Sequence, residues 1–195
     1  KRVLDHGYDI SRLEARIDQV LEIARARPAI VQLAATMALE HYTAIIAAEL
    51  IRNPKHLDGA DAESRELWRW HALEEIEHKG VAYDTFLHAT RHMSRWRRWK
   101  IKTLTMLLIT GTFWKHRIEG TLDLMAQDGV TGWRAKAEVA KYLLVSPGIV
   151  RRMIPAWLSY FLPGFHPWNH DDRVLIQRVE SEYEAALLPT VVAAA

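Results

Sequence analysis

Apolar residues recur along this chain at intervals of three and four positions, which is the spacing of one face of an α-helix. Strict alternation of apolar and polar residues, the pattern of a half-buried β-strand, is almost absent. The pattern therefore predicts an all-α fold, a bundle of about six to seven helices.

Start and stop signals give the limits of the predicted helices. Ser11 begins a capping-box pattern, Asp61 is placed to cap a third helix, and Asp171 or Asp172 to cap the last. Pro155 is expected to bend or break the helix that contains it. The first predicted helix begins at residue 11, and the others cover residues 28–51, 61–89, 93–127, 131–145, 149–162 and 172–188.

The amino-acid composition restricts the possible chemistry of a functional site more than it restricts the fold. Cysteine is absent from the 195 residues, which excludes disulfides, iron–sulfur clusters and thiolate metal sites. A bound metal ion must therefore be held by His, Asp or Glu, and ten histidines are available. No internal repeat or linker-like stretch divides the sequence, so we expect one helical domain over residues 1–195.

One segment of the third predicted helix concentrates titratable groups on a single face. It reads WRWHALEEIEHKGVAYDT, and the spacing places His71, Glu74, Glu75 and His78 on adjacent turns, among residues expected to face the core. Buried carboxylates and imidazoles are costly unless they are paired or bind a metal ion. Fe, Mn or Zn would suit these ligands, and the spacing of Glu75 and His78 is that used by di-metal helical bundles. Lys79 is expected to point away into solvent.

A site inside a bundle needs ligands from other helices. Glu40 lies on an apolar stripe of the second predicted helix, with His41 beside it as a residue supporting a ligand. His116 and Glu119 repeat the i, i+3 spacing on the fourth. The alternatives are that Glu40 pairs with an arginine and that His116 and Glu119 are ordinary surface residues.

A short loop near the C-terminus is the second unusual segment. It reads PGFHPWNHDD, and its prolines and glycine make it stiff. His166 and His170 could close the mouth of a site or supply a ligand to it. The alternative is that the two aspartates cap the next helix while His166 and Trp168 pack the loop down.

The two motifs together resemble a bacterial family described as predicted metal-dependent hydrolases. The runs WHALEEIEHKGVAYDTF and FHPWNHDD carry the resemblance, which extends over nearly all of the chain. It implies metal ligands among His71, Glu75 and His78, and a functional role for His166 and His170. The Glu-x-x-His helix also resembles the ferritin-like di-metal superfamily, although the partner helix carries the reversed order, His-x-x-Glu.

Three functions are compatible with these residues. In a hydrolase, a metal ion activates water, and Glu74 or Glu75 is the general base. In a ferritin-like oxidase or oxygenase, two irons activate oxygen next to an apolar or acyl substrate. In the third case the chain is a non-catalytic helical module that binds a membrane or a partner protein. The sequence favours a metal-dependent enzyme and leaves its reaction open.

A basic, tryptophan-rich segment suggests where the protein acts. Residues 91–102 read RHMSRWRRWKIK, and an apolar run follows. The twelve uncharged residues 103–114 are too few for a transmembrane helix, which needs about 20. We expect a cytoplasmic protein with peripheral contact to an anionic inner membrane, or an acyl or lipid-like substrate taken from it.

The sequence also bears on partners other than a membrane. The alternative to membrane contact is that the basic segment pairs with the acidic third helix. Nucleic-acid binding is not expected, because no groove-reading motif is present, and a homodimer is compatible with the sequence. Since the sequence begins with Lys1 and shows no targeting segment, we expect the native N-terminus to lie upstream.

Overall fold

The computed structural model describes the backbone of residues 2–192 and the side chains of residues 4–185, and every regular element in this part is helical. The all-α prediction is therefore confirmed. The helices are α1 (Arg2–Asp5), α2 (Ser11–Arg25), α3 (Ala29–Arg52), α4 (Ala62–His78), α5 (Val81–Ala89), α6 (Arg95–Gln127), α7 (Gly132–Leu144), α8 (Ile149–Ser159) and α9 (Arg173–Val192). Two short 3₁₀ turns, Pro54–Leu57 and Pro167–Asn169, lie in the connections.

Helix α3 is the central element of the fold. It packs against α4, α5, α6 and α8, and most of its small residues are buried. Ala44, Ala47 and Ala48 have no bulky side chain, which allows α4 to approach closely. By length and composition alone α3 could cross a membrane, a property that the core helix of a globular protein shares.

Two apolar clusters share α3. The larger lies between α3, α5, α6 and α8 and includes Tyr42, Phe86, Met106 and Tyr160. The smaller lies between α3, α4 and α9 and is made by residues such as Ile76 and Val179. Each face of α3 therefore belongs to a different core, and the polar residues of α3 lie at the borders between them.

The prediction of one helix over residues 61–89 was wrong, because the chain turns at Lys79 and Gly80 between α4 and α5. The indole of Trp168 packs against this turn. A Cβ atom at Gly80 would lie 2.7 Å from Trp168 Nε1, so a side chain there would displace the ring. The turn thus depends on a residue far away in the sequence.

The other boundary predictions are confirmed in part. The Asp61 carboxylate accepts a hydrogen bond from the backbone N–H of Ser64 at 3.0 Å, as expected of an N-cap. Ser11 makes no capping box, and its own N–H donates to the Asp9 carboxylate at 2.9 Å. Pro155 does not break α8, whose residues around it are exposed, so that water can reach the carbonyl group left without a donor.

Substituting Gly80 tests the packing of Trp168 against the turn. We expect Gly80→Ala to lower the free energy of unfolding by about 1–3 kcal/mol, because the new methyl group overlaps the indole. Gly111, in the middle of α6, faces open space, so Gly111→Ala should raise stability by about 0.5–1 kcal/mol. Urea unfolding of both variants measures the difference, and equal stability of Gly80→Ala and the wild type would contradict the packing argument.

Candidate functional site

Four of the predicted ligands lie along the contact between α3 and α4. The Thr43 hydroxyl of α3 donates to Glu75 Oε2 of α4 at 2.5 Å, and His71 Nε2 lies 3.4 Å from Glu75 Oε1. Glu40, one turn before Thr43, is close enough to Glu75 and His78 for both to shift its pKa. We call these five residues the α3–α4 patch.

The α3–α4 patch is more open than the sequence predicted. The side chains of His71 and Glu75 are 46% and 25% exposed, and His78 is exposed as well. The buried stripe of α4 runs instead through Ala72, Leu73 and Ile76, because only one side of α4 packs against α3 and α9. The expectation that the imidazoles interrupt a buried stripe was therefore wrong, and the patch lies beside that stripe.

Electrostatics in the α3–α4 patch is dominated by its two carboxylates. Burial raises the pKa of Glu40, the Glu75 carboxylate raises it further, and His78 acts in the opposite direction. Two carboxylates that share a partly buried surface repel each other. A cation between them would stabilise both ionised forms.

The metal ion implied by these ligand types fits the α3–α4 patch by donor chemistry. Carboxylate and imidazole are the ligands preferred by Zn, Mn and Fe. Across the side chains that the structure describes, however, no group of three or more His, Asp or Glu converges as a ready metal site. His71 and His78 are both exposed, and the His71 ring packs edge-on against Trp68.

The second predicted ligand pair, His116 and Glu119, lies on α6 next to α2. His116 Nδ1 lies 3.8 Å from Glu119 Oε2, and the same carboxylate lies 3.9 Å from Arg16 Nε of α2. Arg16 also pairs with Asp123 at 2.7 Å, one turn further along α6. His116 and Glu119 thus face α2, and this placement gives no support to their predicted role as ligands.

The predicted catalytic residues are divided between two places. Glu74 is partly buried on α4, one turn before His78. His166 lies on the loop after α8, where its Nε2 is 3.0 Å from Asp84 Oδ1 and its Nδ1 accepts a hydrogen bond from the N–H of Trp168 at 3.2 Å. Nε2 thus joins the loop to α5 and Nδ1 supports the turn within the loop, an arrangement in line with the packing alternative.

A buried ionic cluster that the sequence did not predict joins α4 to the start of α9. Lys79 is 2% exposed, and its ammonium group donates to Asp172 Oδ2 and to the carbonyl oxygen of His170, both at 2.7 Å. Arg52 of α3 binds the other oxygen of Asp172. The expectation that Lys79 points into solvent was wrong, because Lys79 follows Ile76 by three residues and so continues the buried stripe of α4.

His170 and Asp172 take part in this cluster and leave the expected capping to Asp171. His170 Nε2 lies 2.7 Å from the Ser159 hydroxyl, and burial lowers the pKa of His170. Asp171 accepts a hydrogen bond from the backbone N–H of Arg173 at 3.1 Å, at the start of α9. His170 therefore positions the loop, and no contact joins it to the α3–α4 patch among the described residues.

His41 borders the same ionic cluster. It was expected to support Glu40 as a ligand, but its ring lies on another side of α3. Its ring is 2% exposed and stacks on Tyr160, and neither ring nitrogen has a hydrogen-bond partner. Burial, followed by the charges of His170 and Lys79, lowers the pKa of His41 to about 3. The ring faces a cavity of about 40 Å³, which has room for water. Since neighbours on a helix point about 100° apart, the carboxylate of Glu40 and this ring cannot share a site.

The charge of the ionic cluster argues against metal binding there. Lys79 and Arg52 bring two positive charges to one carboxylate, that of Asp172. A metal cation would have to displace both. The cluster therefore joins α3, α4 and α9, and of the two groups the α3–α4 patch has the sign of charge that a metal ion requires.

The predicted basic surface on α6 is largely solvent-facing. Trp96 is 64% exposed and stacks on Trp99, whose indole N–H donates to the Phe161 carbonyl oxygen at 2.9 Å. Further along α6, Leu104 and Leu108 are exposed as well. Such a surface is compatible with membrane contact, which stays a prediction, as does the homodimer.

Removing the Asp172 carboxylate from the ionic cluster should strongly lower the stability of the fold. We expect Asp172→Asn to lower the free energy of unfolding by about 3 kcal/mol, because it leaves the Lys79 ammonium buried without an anion. Asp171→Asn is the matched control; its side chain is 56% exposed, and we expect a loss of about 1 kcal/mol at most. Chemical denaturation at pH 7 measures both, and equal effects would show that the cluster contributes little.

Comparison with known proteins identifies the family. The family model described as predicted metal-dependent hydrolase matches residues 1–171, which include the α4 motif and nearly all of the loop motif. No curated protein and no solved structure matches the chain. The resemblance inferred from the two motifs is confirmed, whereas the ferritin-like signature finds no support. The chain belongs to the family of predicted metal-dependent hydrolases.

Proposed function

We propose that the protein is a hydrolase that binds a transition-metal ion at the α3–α4 patch through Glu40, His71, Glu75 and His78. The observation that carries the proposal is the pairing of two carboxylates from different helices at a partly exposed helix contact. The family assignment supports a metal-dependent hydrolase, and gives no support to the di-iron oxidase alternative.

The residues of the patch have separable tasks in this proposal. Thr43 donates to one oxygen of Glu75 and so fixes the orientation of that carboxylate. A metal ion held by Glu40, His71, Glu75 and His78 would supply Lewis acidity to a water molecule and to a scissile carbonyl or phosphoryl group. Glu74, one turn from His78, accepts the proton that the attacking water loses.

The position of the patch also bears on substrate access. Its imidazoles are exposed, so a substrate reaches them from solvent without passing through the core. A small molecule with an acyl group remains our proposal for the substrate class. The ionic cluster takes no chemical part here, and holds the loop and α9 in place around α4.

Metal binding is the direct test of the proposed site. We expect protein prepared without chelator to bind about one equivalent of Zn²⁺, Mn²⁺ or Fe²⁺. We expect Glu75→Gln and His78→Ala to weaken binding by about tenfold or more. Glu74→Gln should retain the metal ion and lower kcat on a p-nitrophenyl acyl ester by about 100-fold or more. Elemental analysis, titration calorimetry and ester kinetics are the measurements.

His116→Ala is the matched control for this experiment. It removes an imidazole next to a carboxylate on α6, and we expect metal affinity to be unchanged. Absence of metal binding by the wild type would refute the proposal. An equal loss in His116→Ala and His78→Ala would place the site elsewhere.

The Glu40 carboxylate should show a conflict between stability and metal binding. Its raised pKa means that the folded state holds the Glu40 proton more tightly than the unfolded state. Ionisation therefore destabilises the metal-free protein above the folded pKa, and this penalty disappears as the pH falls below the unfolded pKa. We expect metal-free Glu40→Gln to exceed the wild type by up to about 1 kcal/mol at pH 7, a small value because the group is partly exposed.

Urea unfolding in EDTA at pH 7 and at pH 4 measures this difference, which should vanish at the lower pH. Saturating Zn²⁺ should reverse the order at pH 7, because the wild type gains more from the bound ion. Glu77→Gln, on an exposed side of α4, is the control and should match the wild type throughout. If Glu40→Gln is less stable than the wild type in EDTA, burial of the Glu40 carboxylate and its repulsion by Glu75 do not destabilise the metal-free protein as stated.

A further inference from the structure

A cavity separate from the α3–α4 patch lies between α5, the first half of α6 and the chain that follows α8. Its volume is about 610 Å³, which is within the range of small-molecule sites. Aromatic and aliphatic side chains form most of its wall, and Arg95, Arg98 and Lys102 of α6 add three cations. No aspartate or glutamate occurs in the lining that the described side chains provide.

Lys102 is the least exposed of these cations. It is 6% exposed, and its ammonium group donates to the Tyr160 carbonyl oxygen at 2.6 Å. The ammonium nitrogen also lies 4.7 Å from the centre of the Tyr160 ring and 5.0 Å from that of Phe165. Burial lowers the pKa of Lys102 to about 8, and no carboxylate counteracts that shift. A buried ammonium group of this kind is incompletely compensated.

Arg98 adds a donor that has no acceptor among the described residues. Its Nε atom is buried and makes no hydrogen bond there, although Arg98 lines the cavity. Buried N–H groups are nearly always satisfied by protein or by ordered water, and a ligand oxygen can take the same position. Asp84, next to the lining residue Tyr83, has its carboxylate paired with His166.

The rest of the wall suits an apolar body. Phe86, Leu87, Trp99 and Phe161 line the cavity with ring and methyl surfaces. An inorganic anion would leave these surfaces exposed to water, and a neutral apolar molecule would leave Lys102 and Arg98 without an anion.

We propose that this cavity binds an amphiphilic carboxylate, with its acid group against Lys102 and Arg98 and its aliphatic body among the aromatic rings. Arg98 and Lys102 are four residues apart on α6 and so lie on one face of the helix, which places one donor for each oxygen of a carboxylate along the same wall. The site is independent of the metal centre, since it shares no residue with the α3–α4 patch.

Decanoate and decan-1-ol are a matched pair of probes that differ only in the acid group. We expect calorimetry at pH 7 to give saturable binding of decanoate below 1 mM, at least tenfold tighter than decan-1-ol. The fluorescence of Trp96 and Trp99, which line the cavity, should change with the same midpoint. All titrations contain EDTA, so that failure of the metal proposal does not affect the result.

Variants on one helix separate the acid contact from general hydrophobic binding. We expect Lys102→Gln and Arg98→Gln each to weaken decanoate binding by tenfold or more, with decan-1-ol changed by less than twofold. Lys100→Gln, exposed on the same helix, should bind both probes like the wild type. Circular dichroism checks the fold, and if Lys102→Gln does not fold, Arg98→Gln, whose side chain is partly exposed, decides the question.

Equal affinity for the two probes would overturn the proposal, as would the absence of saturable decanoate binding. Retention of decanoate affinity in Arg98→Gln would overturn it as well.

Discussion

The close contact between α3 and α4 is the constraint from which the polar features of this protein follow. Alanines on α3 let α4 approach, and the border of that contact brings Glu40 and Thr43 opposite Glu75 and His78. His41 lies on another face of α3, on the buried side of the contact with α4. One helix packing therefore generates an acidic patch at the surface and a cationic cluster in the interior.

The two buried lysines, Lys79 and Lys102, differ in how their charges are compensated. Lys79 is satisfied by Asp172 and by a carbonyl group, so its cluster is closed. Lys102 has a carbonyl group and aromatic rings but no acid. Removing one partner of the closed cluster would leave a buried charge unpaired, whereas the proposed ligand would add the anion that Lys102 lacks.

The helices could be predicted from local signals, because caps and the three-and-four spacing act within one element. Asp61 shows this directly, since its carboxylate binds the first turn of its own helix. Spacing also placed the polar residues of α4 on one face, and that face lies beside Glu40. The turn at Gly80 could not be predicted, because the residue that occupies its space is Trp168, on a loop nearly ninety positions later. The inward direction of Lys79 was missed because the wrong face of α4 was expected to be buried; the buried face runs through Ala72 and Ile76 and continues to Lys79. His116 and Glu119 had the right spacing, but spacing does not reveal that α6 turns this face towards Arg16 of α2.

The openness of the α3–α4 patch has a consequence for selectivity. The proposed catalytic centre, at an open contact between two helices, would place little restriction on the size of a substrate, and bulky molecules could approach as readily as small ones. Discrimination among substrates must then come from the neighbouring surface rather than from the walls of a closed chamber. Changes in the exposed residues around α4 would in that case alter substrate preference while leaving the packing of the fold intact.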